Sequence, residues 1–150
     1  MNKVLVFDMD GTIADLYGVD GWLEMIRAEQ TFPYETASAM WDMITLADVL
    51  NELKKDGWLV VVTTWTAKGG SKIYNKETAK AKKAWLDSFN FPYDEFHAVK
   101  YGRTKLDSTR KHGGFQILID DNEKIRKGWT GGKAINPTNC DIIEYLAGLL

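Results

Sequence analysis

Four apolar residues, Val4 to Phe7, run directly into Asp8-Met9-Asp10-Gly11-Thr12. A short apolar run closed by a glycine turn predicts a fully buried strand. Its carboxyl end would carry Asp8 and Asp10 to the edge of a sheet. Two ionised carboxylates cannot sit at such a place without a cation or hydrogen-bond donors, because unpaired buried charge is costly. Asp-Gly is also an ordinary turn dipeptide, but an acidic pair at this spacing closing an apolar run is already, taken alone, a specific signal for a functional site over a plain turn.

The remaining apolar runs supply the rest of a sheet. Trp58 to Thr63, Phe96 to Val99, Phe115 to Ile119 and Lys133 to Ile135 read as four more strands. Between them, Leu46, Val49, Leu50 and Leu53 fall on one stripe of an amphipathic helix. Gly57 stands where a helix-terminating glycine belongs. A lysine-rich helix is expected over about residues 75–89, with Ala81, Ala84, Trp85 and Phe89 inward, and a last one over about 140–149. Alternating strands and helices imply right-handed crossovers and a three-layer, Rossmann-like α/β fold around a parallel sheet of about five strands. In such sheets ligands bind beyond the carboxyl ends of strands. Asp8, Asp10, Asp120 and Asp121 are all assigned to strand ends.

Residues 16–44 interrupt the alternation and read as a small helical insertion in one domain spanning 1–150. Trp22, Met25, Ile26 and Glu29 suggest one helix, and Ala37, Met40, Trp41 and Ile44 another. Thr31-Phe32-Pro33 is expected to separate them, since proline is tolerated only in a helix's first turn.

Composition narrows the function classes. With 19 basic and 21 acidic residues the net charge is −2, which gives no electrostatic case for nucleic acid or an anionic membrane as partner. The lone Cys140 cannot form an internal disulfide. No apolar run approaches the ~20 residues that span a bilayer, and the first strand begins too early for a signal peptide. A cytoplasmic protein is expected.

Asp8-Met9-Asp10-Gly11-Thr12 resembles the first motif of the haloacid dehalogenase-like phosphohydrolases. Three later segments are similar to that family's other motifs, in its order. Val62-Thr63-Thr64-Trp65 resembles the second, with Thr64 favoured as its hydroxyl residue and Thr63 the alternative by other alignments. Tyr101 to Lys105 resembles the third, a lysine ahead of the fourth strand. Ile119-Asp120-Asp121 resembles the fourth. The resemblance implies that Asp8 attacks phosphorus while Asp10 serves as acid and base. It further implies that Thr64 and Lys105 hold the transferring oxygens. Asp8, the backbone carbonyl of Asp10, and Asp120 or Asp121 would ligate Mg²⁺, a cation that prefers oxygen ligands. Aspartate rather than another residue two past the nucleophile favours phosphoester hydrolysis over carbon–halogen cleavage. Similarity to small phage-encoded members and to 5′(3′)-deoxyribonucleotidases suggests a nucleoside monophosphate as the small phosphoester substrate.

Other signals have plainer readings. Lys68, Lys72, Lys76, Lys80, Lys82 and Lys83 could funnel an anion, but a solvated helix face explains most of them. Lys68 and Lys72 are set apart, because their loop leaves the strand bearing Thr64. Trp65 could stack on a base or simply pack; Trp58 and Trp85 are expected in the core. His97 and His112 have no partners at metal-ligand spacing. Gly131-Gly132-Lys133-Ala134 lacks the spacing and hydroxyl of a phosphate loop. Two alternatives remain, a receiver-like phosphorylatable switch and a catalytically silent binding module on the same fold. A receiver would need its acceptor aspartate at the end of the third strand, where this chain has Val99-Lys100.

Overall fold

The computed structural model describes residues 2–150. Five parallel strands form the central sheet: β1 (Lys3–Phe7), β4 (Trp58–Trp65), β5 (Glu95–Val99), β6 (Phe115–Ile119) and β7 (Gly132–Ile135), in the order β5-β4-β1-β6-β7. β1 is central because its sequence permits it. Val4 to Phe7 are apolar without alternation and are all buried, as a strand covered on both faces requires.

Side chains leave the sheet on alternate faces. Leu5, Phe7, Val60, Val62, Ile117 and Ile119 pack in one core. That core also holds Leu46, Leu50 and Leu53 of α3 (Met43–Lys55), Trp85 and Leu86 of α4 (Lys72–Ser88), and Ile142 and Leu146 of α6 (Ile142–Ala147). Val4, Val6, Val61 and Leu118 form the smaller core opposite, against Ile125 of α5 (Glu123–Gly128) and Trp129. Asp42, Ser71, Asn122 and Asp141 each cap a helix by accepting the backbone N–H three residues on.

The insertion departs from expectation. A two-stranded antiparallel ribbon, β2 (Ala14–Asp15) with β3 (Ser38–Ala39), frames it. Inside lie a 3₁₀ turn at Leu16–Gly18, α1 (Trp22–Arg27) and α2 (Phe32–Thr36). Thr31-Phe32-Pro33 therefore starts a helix rather than dividing two, because proline in the first turn forfeits no intrahelical bond. Ala37, Met40, Trp41 and Ile44 do not share a helix. Ala39 pairs in the ribbon, Trp41 donates its indole N–H to the Thr12 carbonyl (2.8 Å), and Ile44 lies in α3. α4 begins at Lys72, not Asn75, since Ser71 supplies the cap. Its buried stripe is Tyr74, Thr78, Lys82, Trp85 and Leu86, whereas Ala84 is exposed.

Candidate active site

β1 pairs with β4 through Phe7–Val62 and with β6 through Phe7–Ile119. One residue later the backbone N–H of Asp8 still bonds to the Ile119 carbonyl (2.9 Å). That register brings the carboxyl ends of three neighbouring strands, with Asp8, Thr64, Asp120 and Asp121, to one edge. Gly11 turns the chain away at φ +78°, and a Cβ there would collide with the Asp121 carboxylate. Thr12 then reaches back, donating its hydroxyl to Asp8 Oδ2 (3.0 Å) and accepting the Asp121 N–H (3.2 Å).

Lys105 lies on a 3₁₀ turn, Lys105–Ser108, ahead of β6. The residue is 4% exposed, and its ammonium bonds Asp8 Oδ1 at 2.6 Å and Asp120 Oδ2 at 2.8 Å. Asp120 Oδ1 also accepts the Asn122 N–H (2.9 Å). Asp10 turns elsewhere, to Lys82 Nζ at 2.7 Å. The same ammonium donates to Thr64 Oγ1 and to the Trp65 carbonyl, both at 2.9 Å.

Lys82 corrects the sequence reading. The lysine run predicts a solvated helix face for it, yet the residue is 1% exposed. Lysine is almost never buried without a partner, and its partners here are site residues. The signal was in the spacing: Tyr74, Thr78, Lys82 and Leu86 recur every fourth position, so one inward stripe contains the lysine.

Carboxylate oxygens of Asp8, Asp120 and Asp121 lie within 4.8 Å of one another, close enough for one cation. Four carboxylates, those of Asp8, Asp10, Asp120 and Asp121, face two ammoniums, Lys82 and Lys105. The imbalance shows in the titration of the acids. Burial, then the charge of Asp8, raises Asp120 to about 6 and Asp121 to about 7. Burial also lifts Asp10 above the ordinary carboxylate value, against the opposing charge of Lys82. A hard, oxygen-only donor set with two surplus negative charges fits a divalent cation such as Mg²⁺.

The acids open into a cavity of about 880 Å³. Thr64, Trp65 and Lys68 line it, while Thr63 and Lys72 do not. Thr63 lies in the sheet and is wholly buried, whereas Lys72 is exposed at the start of α4. Residues the sequence did not flag line it too, among them Tyr17, Tyr34 and Lys124, and so does Tyr101 at the start of the third motif. Two aromatic pairs contribute to the wall. Tyr17 meets Trp22 edge-on with centroids 4.9 Å apart, and Trp65 lies against Tyr101 at the same separation. Trp65 is pinned as well, its indole N–H bonded to the Arg103 carbonyl (2.8 Å). Neither histidine reaches this edge. His97 and His112 instead share Glu95, at 2.8 and 2.7 Å.

No protein-family model matches this chain, and no curated protein matches it in sequence. Solved structures do. The D,D-heptose 1,7-bisphosphate phosphatase from Burkholderia thailandensis aligns over 99% of this chain and 98% of its own, at 14% identity and TM-score 0.59. The D,D-heptose 1,7-bisphosphate phosphatase from B. bronchiseptica, complexed with magnesium and phosphate, aligns over 99% of each chain at 13% identity and TM-score 0.58. At such identities the likeness is one of fold. The chain shares the parallel, Rossmann-like α/β architecture of these phosphatases.

Proposed function

We propose that this protein is a Mg²⁺-dependent phosphomonoesterase that works through Asp8, with nucleoside monophosphates as its substrate class. One observation carries the reading: Asp8, Asp120 and Asp121 converge at the edge of the sheet with Lys105 between two of them and Asp10 two positions on. A shared fold with two phosphatases, one of them holding magnesium and phosphate, supports it.

Asp8, Asp120 and Asp121 would hold the metal. The carboxylate of Asp10 is committed to Lys82, so its backbone carbonyl is the ligand expected from that residue. A bound Mg²⁺ would screen the repulsion between Asp8 and a phosphate dianion and draw charge from the phosphoryl oxygens. Thr12 and Lys105 orient the Asp8 carboxylate by a hydrogen bond to each oxygen. Its oxygen attacks phosphorus, the bond to the leaving alcohol breaks, and the electron pair stays on the alcohol oxygen. That oxygen takes a proton from Asp10. Water then attacks the aspartyl phosphate and passes its proton to Asp10, and the P–O bond to Asp8 breaks to free phosphate. Two displacements replace one harder one.

The cavity supports the substrate class. Its volume of about 880 Å³ far exceeds a phosphate, and the aromatic residues Trp65 and Tyr17 are among those that line it, where a ring-bearing leaving group would meet them. Lys68 lies 5.8 Å from the Tyr101 ring, adding positive charge at the same wall. Phosphate release from a panel of phosphomonoesters, with Mg²⁺ and with EDTA, tests the proposal. Hydrolysis that EDTA abolishes is expected, strongest on nucleotides; no hydrolysis of any phosphomonoester with Mg²⁺ present would refute it.

A further inference from the structure

We infer that Lys82 is a positioning residue, holding the Asp10 carboxylate where a proton must be delivered and tying it to Thr64. The inference rests on the phosphatase reading, in which Asp10 protonates the leaving oxygen.

All three N–H bonds of the Lys82 ammonium are used, on Asp10 Oδ2, Thr64 Oγ1 and the Trp65 carbonyl. The Tyr34 ring, 4.9 Å from the nitrogen, covers it further. No donor is left for a substrate, and Lys82 does not line the cavity, although Asp10, Thr64 and Trp65 do. Lys82 therefore acts on the reaction through the groups it holds. Asp10 Oδ2 is fixed by the ammonium, while Oδ1 accepts no hydrogen bond among the described residues and is the oxygen available to the leaving group. Lys105 performs the parallel task for Asp8 and Asp120, so each half of the acidic cluster has its own buried lysine.

This arrangement has a sequence logic. Lys82 approaches from α4, on the buried stripe that also carries Trp85 and Leu86. Its stem follows that apolar stripe, as buried lysine stems do, and its charge emerges beneath the acid. The position of Asp10 is thereby coupled to the packing of a helix distant in sequence.

Leaving-group dependence separates this role from a merely structural one. General acid catalysis matters most where the leaving oxygen is basic, and is worth about 10²–10⁴-fold. An alkyl phosphate needs the proton, whereas p-nitrophenyl phosphate expels a weakly basic phenolate. The experiment measures kcat and KM on both substrates for wild type, Lys82→Met, Asp10→Asn and the double variant. Lys82→Met should lose about 100-fold in kcat/KM on the alkyl phosphate and under about 10-fold on p-nitrophenyl phosphate, since kcat/KM reports the first displacement and leaves out the hydrolysis of the aspartyl phosphate that both substrates share. Adding Lys82→Met to Asp10→Asn should cost little more, because the group it positions is already gone. Equal losses on the two substrates, or fully additive losses in the double variant, would overturn the inference while leaving the phosphatase reading standing. Failure of the wild type on both substrates would instead overturn that reading and this inference together. If Lys82→Met does not fold, Lys82→Arg keeps the charge but not the three-way geometry, and should show the same selective loss in milder form.

Discussion

Asp121 differs from the three acids around it in having no ammonium partner among the described residues. It accepts only a long bond from the Thr12 hydroxyl (3.5 Å) and lies against Asp8, and its pKa rises to about 7. The consequence for stability has a definite sign. Between about pH 4 and pH 7 the metal-free folded protein holds protons on Asp120 and Asp121 that the unfolded chain has released. Stability from these groups is thus full below the unfolded value of 3.8 and lost as pH rises through 6 and 7. We predict that thermal melts without metal show a falling midpoint across that window. Asp121→Asn should flatten the fall, and a profile identical to wild type would mean that Asp121 is not strained in this way. These acids were legible in the sequence because each ends an apolar run, and strand ends meet at one edge. Lys82 was not, because a lysine in a lysine run looks solvated until the fourfold spacing of Tyr74, Thr78 and Leu86 is followed through it.

At the scale of elements, the strands were readable and the insertion was not. Strand identity follows from apolar runs, which survive any tertiary context. The insertion is held by contacts that leave no periodic trace. Glu29, at φ +55°, accepts both the backbone N–H (3.0 Å) and the hydroxyl (2.8 Å) of Ser71, and Tyr74 donates to the Gln30 carbonyl (2.8 Å). These bonds moor α1 and α2 beside the start of α4, above a cavity wall that includes Trp22 and Trp65. A larger leaving group would gain contacts there that a very small one cannot reach. Binding energy spent on orientation raises the rate. We therefore expect nucleotides to exceed phosphoglycolate in kcat/KM, and Trp65→Ala to narrow the gap by about tenfold, the order of one stacking contact of 1–3 kcal/mol. Trp65 would be a packing residue only, against Tyr101, if the gap were unchanged in a folded Trp65→Ala protein.

For the whole molecule, the acidic edge is a cost of folding that a cation removes. Four carboxylates against two ammoniums leave the metal-free fold strained, and a ligand that binds only the folded state stabilises it by mass action. At a hundredfold excess over Kd that gain is about 2.7 kcal/mol. In a chain of this size each kcal/mol shifts the midpoint by roughly 2–4 °C. Mg²⁺ at such an excess should therefore raise Tm by about 5–10 °C, and Asp120→Asn/Asp121→Asn should abolish the rise. An undiminished rise in the double variant would place the metal elsewhere.

If Asp8 and a divalent cation together hydrolyse a phosphomonoester, steady-state phosphate release must separate wild type from Asp8→Asn. Asp8→Asn keeps the shape of the side chain but not the nucleophile, and removes one of four crowded charges. The variant should melt no lower than wild type without metal and release phosphate at least about 10³-fold more slowly with Mg²⁺. A folded Asp8→Asn protein that turns over near the wild-type rate would contradict the mechanism.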